Sequence, residues 1–193
     1  MLFNEGSFYH IYNRGNNKQL IFFQERNYQY FLDKVKKYIV PNANLLAWCL
    51  MPNHFHLLIQ ANEATEKLVK EKPIPINALT EGIRLLLSTY SQGVQKQQNL
   101  KGNLFQQKTK SKCADEYLTT VFHYIHQNAL KAGLVNRIED YSWCSFREYL
   151  INTPDGLCNT SVAYEFMNLD TGRFLEDSYA VISDYKVKLF ELE

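Results

Sequence analysis

The sequence predicts an α+β fold in which an antiparallel sheet is covered by helices. Three observations predict it. Aromatic residues alternate with His10 from Phe8 to Tyr12, and the apolar run Leu45 to Ile59 is split by Pro52-Asn53 into two strand-like halves. Between and after these lie long stretches whose apolar residues recur at helical spacing. In order, the patterns read strand, helix, strand, strand, helix, strand, helix.

The first strand, Phe8 to Tyr12, is closed by the turn formers Asn13-Arg14-Gly15-Asn16-Asn17. From Gln24 to Ile39 a helix is marked by Tyr28, Phe31, Leu32, Val35 and Tyr38 or Ile39, and Pro41 stops it. The hairpin Leu45 to Ile59 follows. Ala61 to Pro75 is polar and lysine-rich with two prolines, and reads as a loop or as a short helix and a loop. Asn77 to Gln98 is a long helix with Leu79, Ile83, Leu86, Leu87, Tyr90 and Val94 on one stripe. Gly102 ends the connection, and Leu104 to Ser111 alternates Leu, Gln and Lys in the manner of a short polar strand. Asp115 to Lys131 is the last core helix, with Asp115 and Glu116 at its positive end and Gly133 as its stop. From Tyr141 onward, with a turn at Asn152-Thr153-Pro154-Asp155-Gly156, the chain reads as an extension of short helices. The boundary is set at 1–149 for the core domain and 150–193 for the extension.

At 193 residues, the chain is long enough to close one core of ordinary size. With 13 Tyr and 12 Phe it is rich in rings, which are available for packing or for base stacking; the excess only permits stacking, because most of the rings are expected in the core. Cys49, Cys113, Cys144 and Cys158 form no C-x-x-C pair and no secretory leader is read, so reduced thiols in a cytoplasmic protein are expected. No apolar run approaches the ~20 residues of a membrane span. The net charge of +1 hides an uneven distribution. Lys96, Lys101, Lys108, Lys110 and Lys112 fall in an acid-free stretch, whereas acidic residues dominate from Glu139 onward. That basic strip is either a phosphate contact or a solvated loop.

Two constellations carry chemistry. In Met51-Pro52-Asn53-His54-Phe55-His56-Leu57-Leu58-Ile59, side chains two apart on a strand share a face, so His54 and His56 can converge on one divalent ion while Phe55 anchors the core. Such a site needs a further ligand; a purely structural pair is the other reading. On the last core helix Tyr124 and Asn128 are four apart and share a face. A phenol, with a free pKa of about 10, is a poor nucleophile until a cation offsets its charge, and a carboxamide metal ligand one turn away would provide that setting. The alternative is a half-buried ring with a wet hydroxyl. His123 and His126 read as surface or structural residues, with His126 or a water the next ligand to examine after Asn128.

Four strings taken together resemble the single-tyrosine HUH transposases, and most nearly the REP-associated tyrosine transposases. They are M-P-N-H-F-H-L-L-I, G-N-L-F-Q-Q-K-T-K-S at Gly102 to Ser111, Y-I-H-Q-N-A-L-K-A-G-L-V at Tyr124 to Val135, and D-Y-S-W-C-S-F at Asp140 to Phe146. The resemblance covers Phe8 to Tyr149 and implies a ferredoxin-like domain that nicks and joins single-stranded DNA. It matches His54 and His56 to the histidines that hold Mg²⁺ or Mn²⁺, Asn128 to the helix-borne third ligand, and Tyr124 to the nucleophile. Ala129 stands where the family usually has proline, and Lys108 and Lys131 where it has arginine. The partner implied is single-stranded DNA with hairpin or repeat ends, bound by a monomer or homodimer, with no membrane. Arg14 and Lys18, with the lysines from Lys96 to Lys112, are the candidate phosphate contacts. No G-x-x-x-x-G-K-[ST] loop is present, as expected for strand transfer that conserves bond energy in a covalent link. Two alternatives stand beside this reading: a domesticated nucleic-acid-binding protein of the same fold without transposition, and a metal-dependent hydrolase of small phosphoesters.

Overall fold

The first strand, β1 (Phe8–Arg14), is buried over nearly its whole length, because it runs through the middle of a sheet with both faces covered. The structure is a computed structural model that describes residues 3–70, 73, 75–151, 155–180 and 182. β1 runs two residues further than its alternation indicates. Asn13 and Arg14, expected in the turn, pair with Phe55 and His54 of the neighbouring strand, and the turn starts at Gly15.

α1 (Glu25–Tyr38) buries Phe31, Leu32 and Val35, and the Asn27 side chain oxygen accepts from the backbone N–H of Phe23 at 3.0 Å and of Gln24 at 3.2 Å. A 3₁₀ turn containing Pro41 ends it. β2 (Asn44–Met51) and β3 (His54–Gln60) form the expected hairpin around Pro52-Asn53. The loop-or-helix segment resolves into α2 (Glu63–Glu66) and a two-stranded sheet of β4 (Leu68–Lys70) and β5 (Ile76–Asn77). Residues 71, 72 and 74 lie outside the described residues. Asn77 caps α3 (Ala78–Gln98), its side chain oxygen accepting from the Thr80 N–H at 2.8 Å.

The expected strand over Leu104 to Ser111 is corrected. Leu104 and Phe105 sink into the core, Phe105 makes one isolated bridge to Gly15, and regular pairing starts only at β6 (Lys110–Cys113). Alternating apolarity there reflects two core anchors, not a ladder. The last core helix is likewise shorter than expected: residues 115–117 are 3₁₀, and α4 is Leu118–Lys131. Asp115 does not cap by charge alone, since its carboxylate accepts from the Phe8 N–H at 2.6 Å and so ties the helix entrance to β1. At the far end Gly133, with φ of +67°, lets its own N–H and that of Leu134 reach the carbonyls of Leu130 and Ala129.

The main sheet has the order β2-β3-β1-β6 with every neighbour antiparallel. α1 connects β1 to β2 and α3 connects β3 to β6, both lying on one face, where they pack with Ile11, Phe55, Leu57 and Tyr90. This is the ferredoxin-like arrangement that the resemblance implies. α4 covers the other face with Phe8, Leu58, Val121 and Ile125. After it come α5 (Phe146–Leu150), α6 (Thr160–Met167) and α7 (Phe174–Ser178), whose Phe146, Ala163, Met167 and Phe174 join that second layer. The Gln127 amide donates to the carbonyls of Ser178 and Ala180, both at 2.9 Å, fastening the described part of the tail to α4. Of the turn expected at Asn152 to Gly156, Asn152, Thr153 and Pro154 lie outside the described residues.

Candidate active site

Because strand residues alternate, β1 turns His10, Tyr12 and Arg14 toward α4, and β3 turns His54 and His56 the same way. Antiparallel register sets Tyr12 opposite His56 and Arg14 opposite His54. The hairpin turn that launches β3 is itself held: the Pro52 carbonyl accepts from Ile21 N–H at 2.9 Å and Phe22 N–H at 3.1 Å, and the Asn53 carbonyl from Gly15 N–H at 2.7 Å.

The His54 and His56 rings are 5.0 Å apart between centroids. From α4, the Tyr124 ring meets His56 edge-on at 5.8 Å and His10 at 6.3 Å. Tyr124 is only 6% exposed. One turn on, the Asn128 amide nitrogen donates to the Tyr124 carbonyl at 2.9 Å and, more weakly, toward that of Ile125 at 3.4 Å. Its nitrogen is thus taken up by carbonyls of its own helix. The sequence-predicted residues His54, His56 and Tyr124 therefore lie where β3 and α4 face each other, with Asn128 one turn further along α4. His126 does not join them: it points into the tail layer, its Nε2 meets Ser145 Oγ at 2.8 Å, and Phe122, Phe146 and Tyr149 surround it.

Burial pushes His54 down to about 4, helped by the Arg14 guanidinium, and pushes His10 down to about 3, helped by Lys112. His56 is driven well below its ordinary value by burial first, then by His10, His54 and Arg14. All three imidazoles are thus neutral at pH 7, the form that ligates metals. The His54 Nδ1 lies 2.6 Å from the Asn53 carboxamide oxygen, which can only accept, so the proton is on Nδ1 and the Nε2 lone pair is bare. His56 Nδ1 lies 2.8 Å from His10 Nε2. Of the seven buried side-chain polar atoms without a protein partner among the described residues, four lie in this one cluster, His10 Nδ1, Tyr12 Oη, Arg14 Nε and His56 Nε2; the others are on His123, His126 and Ser178. Such a concentration points to a ligand or a reaction in place of a packing function. No group of three or more His, Cys, Asp and Glu able to hold a metal ion occurs among the described residues, so an ion here would draw on the carboxamide.

The basic residues separate. Lys110 and Lys112 sit opposite Tyr12 and His10 in the β1–β6 register, and Lys112 Nζ lies 5.7 Å from the centre of the Tyr12 ring. With Arg14 they border the histidine cluster. Lys131 joins them from α4, 5.8 Å from the centre of the Tyr124 ring. Lys18 is exposed near the hairpin turn, its carbonyl reached by the Asn53 amide at 3.4 Å. Lys96 and Lys101 are exposed at the end of α3, and exposed Lys108 lines a groove of about 700 Å³ with Asn13, Arg84, Gln95, Asn103 and Gln106, on the opposite side of the sheet. The expected continuous strip is two separate sets. His10 and Asn53 are the site residues that the sequence reading passed over. His10 shares the alternating face of Tyr12, and that period-two position was the signal available.

No family model matches the chain, and no curated protein matches it. Among solved structures, the chain is similar to a REP-associated tyrosine transposase bound to a REP hairpin, with a TM-score of 0.58 and 16% identity. The match covers 81% of this chain and 87% of that one, and establishes a shared fold. No helix among the described residues is long and apolar enough to cross a membrane.

Proposed function

We propose that this protein is a transposase-type enzyme that nicks and rejoins single-stranded DNA through a 5′-phosphotyrosine on Tyr124. The observation that carries this reading is the contact of the Tyr124 ring with His56, at 5.8 Å, in a fold similar to that of a hairpin-bound tyrosine transposase. His54 and His56 through Nε2 and Asn128 through its oxygen would hold Mg²⁺ or Mn²⁺. A neutral set of two nitrogens and one oxygen suits a divalent ion that keeps positions for water or phosphate. Bound there, the ion supplies positive charge to a scissile phosphate.

The chain's own residues supply the rest. Tyr124 attacks phosphorus: its oxygen–phosphorus bond forms as the bond to the 3′ oxygen breaks, the phenol loses its proton, and the leaving oxygen becomes a free 3′-hydroxyl. A 3′-hydroxyl then attacks the ester, remaking a phosphodiester and returning the phenol. Arg14, Lys110 and Lys112 hold neighbouring backbone phosphates, and the partner is a DNA strand with hairpin or repeat ends. The test is incubation with a set of single-stranded hairpins and Mn²⁺, followed by denaturing electrophoresis. A protein–DNA adduct is expected from the wild type and none from Tyr124→Phe, with DNA binding retained. An adduct that persists in Tyr124→Phe moves the nucleophile elsewhere, and hydrolysis without any adduct favours a phosphoesterase.

A further inference from the structure

The bond between His10 Nε2 and His56 Nδ1 holds one proton and has two possible owners. Both rings are fully buried, the nitrogens are 2.8 Å apart, and the ring planes are inclined by 21°. We propose that His56 owns the proton and that His10 is a positioning residue, accepting from His56 Nδ1–H so that the bare Nε2 of His56 faces a divalent cation. The inference rests on the reading of His56 as a ligand.

Either owner leaves one buried N–H without a protein acceptor, His10 Nδ1–H when His56 holds the shared proton and His56 Nε2–H when His10 holds it, so the choice turns on what His56 Nε2 presents to the cation. With the proton on His56 Nδ1, that atom is a lone pair, matching the bare Nε2 that Asn53 imposes on His54 beside it. With the proton reversed, His56 would present an Nε2–H where His54 presents a lone pair, and it could not ligate through that atom. Outer partners of this kind set the tautomer and ring orientation of ligating histidines, and their loss typically costs 10- to 100-fold in metal affinity. His10 is held for the task from both sides, by Tyr12 at 4.7 Å and Tyr124 at 6.3 Å.

Long-range ¹H–¹⁵N spectra of the metal-free wild type read the tautomer directly. His56 protonated on Nδ1 is the expected result, and His56 protonated on Nε2 overturns the proposal. Mn²⁺ titration calorimetry provides the second readout. His10→Phe, which keeps the ring volume and removes the acceptor, is expected to weaken Mn²⁺ binding about tenfold or more. His10→Gln, whose oxygen can replace Nε2, is expected to restore most of the affinity. Equal affinity in the wild type and a folded His10→Phe overturns the positioning role. A wild type that binds no Mn²⁺ overturns the ligand reading instead, and the His56 tautomer still decides whether His10 accepts its proton.

Discussion

The Asn128 amide nitrogen is held by the Tyr124 carbonyl at 2.9 Å, so in the proposed site its oxygen is the atom that would meet the ion. That geometry makes Asn128→Ala a graded lesion. A carboxamide contributes no charge, so strand cleavage by Asn128→Ala should fall sharply at low Mn²⁺ and recover in part at high Mn²⁺. Asn128→Asp presents a similar oxygen and should keep the metal. Wild-type behaviour of Asn128→Ala at every Mn²⁺ concentration would remove Asn128 from the ligand set. His54→Ala and His56→Ala are expected to be more severe, abolishing cleavage and lowering calorimetric Mn²⁺ affinity by more than the roughly 10- to 100-fold that losing an outer partner costs. Unchanged affinity in both variants would place the ion elsewhere.

The elements that form the site are held by contacts on the far side of the sheet. α3 crosses α1 at Gly82, where a β-carbon would stand 2.2 Å from the Tyr38 carbonyl oxygen, a backbone atom that cannot swing aside. Gly82→Ala therefore forces the helices apart and should cost about 1–3 kcal/mol in urea unfolding, the usual range for overpacking. Since α1 and α3 lie on the face away from the histidines, Mn²⁺ affinity of the folded variant should stay at the wild-type value. A Gly82→Ala protein as stable as the wild type would contradict the close crossing. The hairpin β2–β3 and the helix α4 were legible because each carries its own periodicity. β6 was misplaced because Leu104 and Phe105 satisfy a strand pattern while serving as core anchors, and only pairing with β1 defines where the strand begins.

Over the whole molecule, charge and protonation make separate predictions. Lys110 and Lys112 border the histidine cluster, whereas Lys96 and Lys101 sit on α3 and the connection after it. Each phosphate contact contributes about 0.7 to the salt slope of single-strand binding. Lys110→Gln with Lys112→Gln should therefore reduce the slope of log affinity against log salt by roughly 1.4. Lys96→Gln with Lys101→Gln should leave it unchanged. Fluorescence anisotropy with a labelled hairpin measures both, and equal slopes for the two double variants would reject the division. For protonation, burial, aided by His123, lowers His126 to about 3. The unfolded chain then binds a proton below about pH 6.5 that the folded chain refuses, so stability falls as pH drops from there toward 3, by up to about 1.4 kcal/mol per pH unit. Thermal melts from pH 7 to 4 should show this decline, and His126→Gln should make it shallower, the remainder coming from His10, His54 and His56, which burial depresses in the same direction. An unchanged pH dependence in His126→Gln would mean that His126 contributes nothing to the acid limb.

What the sequence determined by itself is what short-range geometry encodes. A period of two places His54 and His56 on one strand face, a spacing of four places Tyr124 and Asn128 on one helix face, and the order of patterns yields a sheet covered by helices. Only the tertiary structure decided which faces meet. The His10–His56 bond joins residues 46 positions apart and depends on the register of β1 against β3, which no local pattern contains. The same holds for the approach of Tyr124 to His56, the division of the lysines between two sides of the sheet, and the withdrawal of His126 to Ser145. Side-chain direction follows from backbone periodicity within an element, but proximity between elements follows from pairing and packing summed over the whole core.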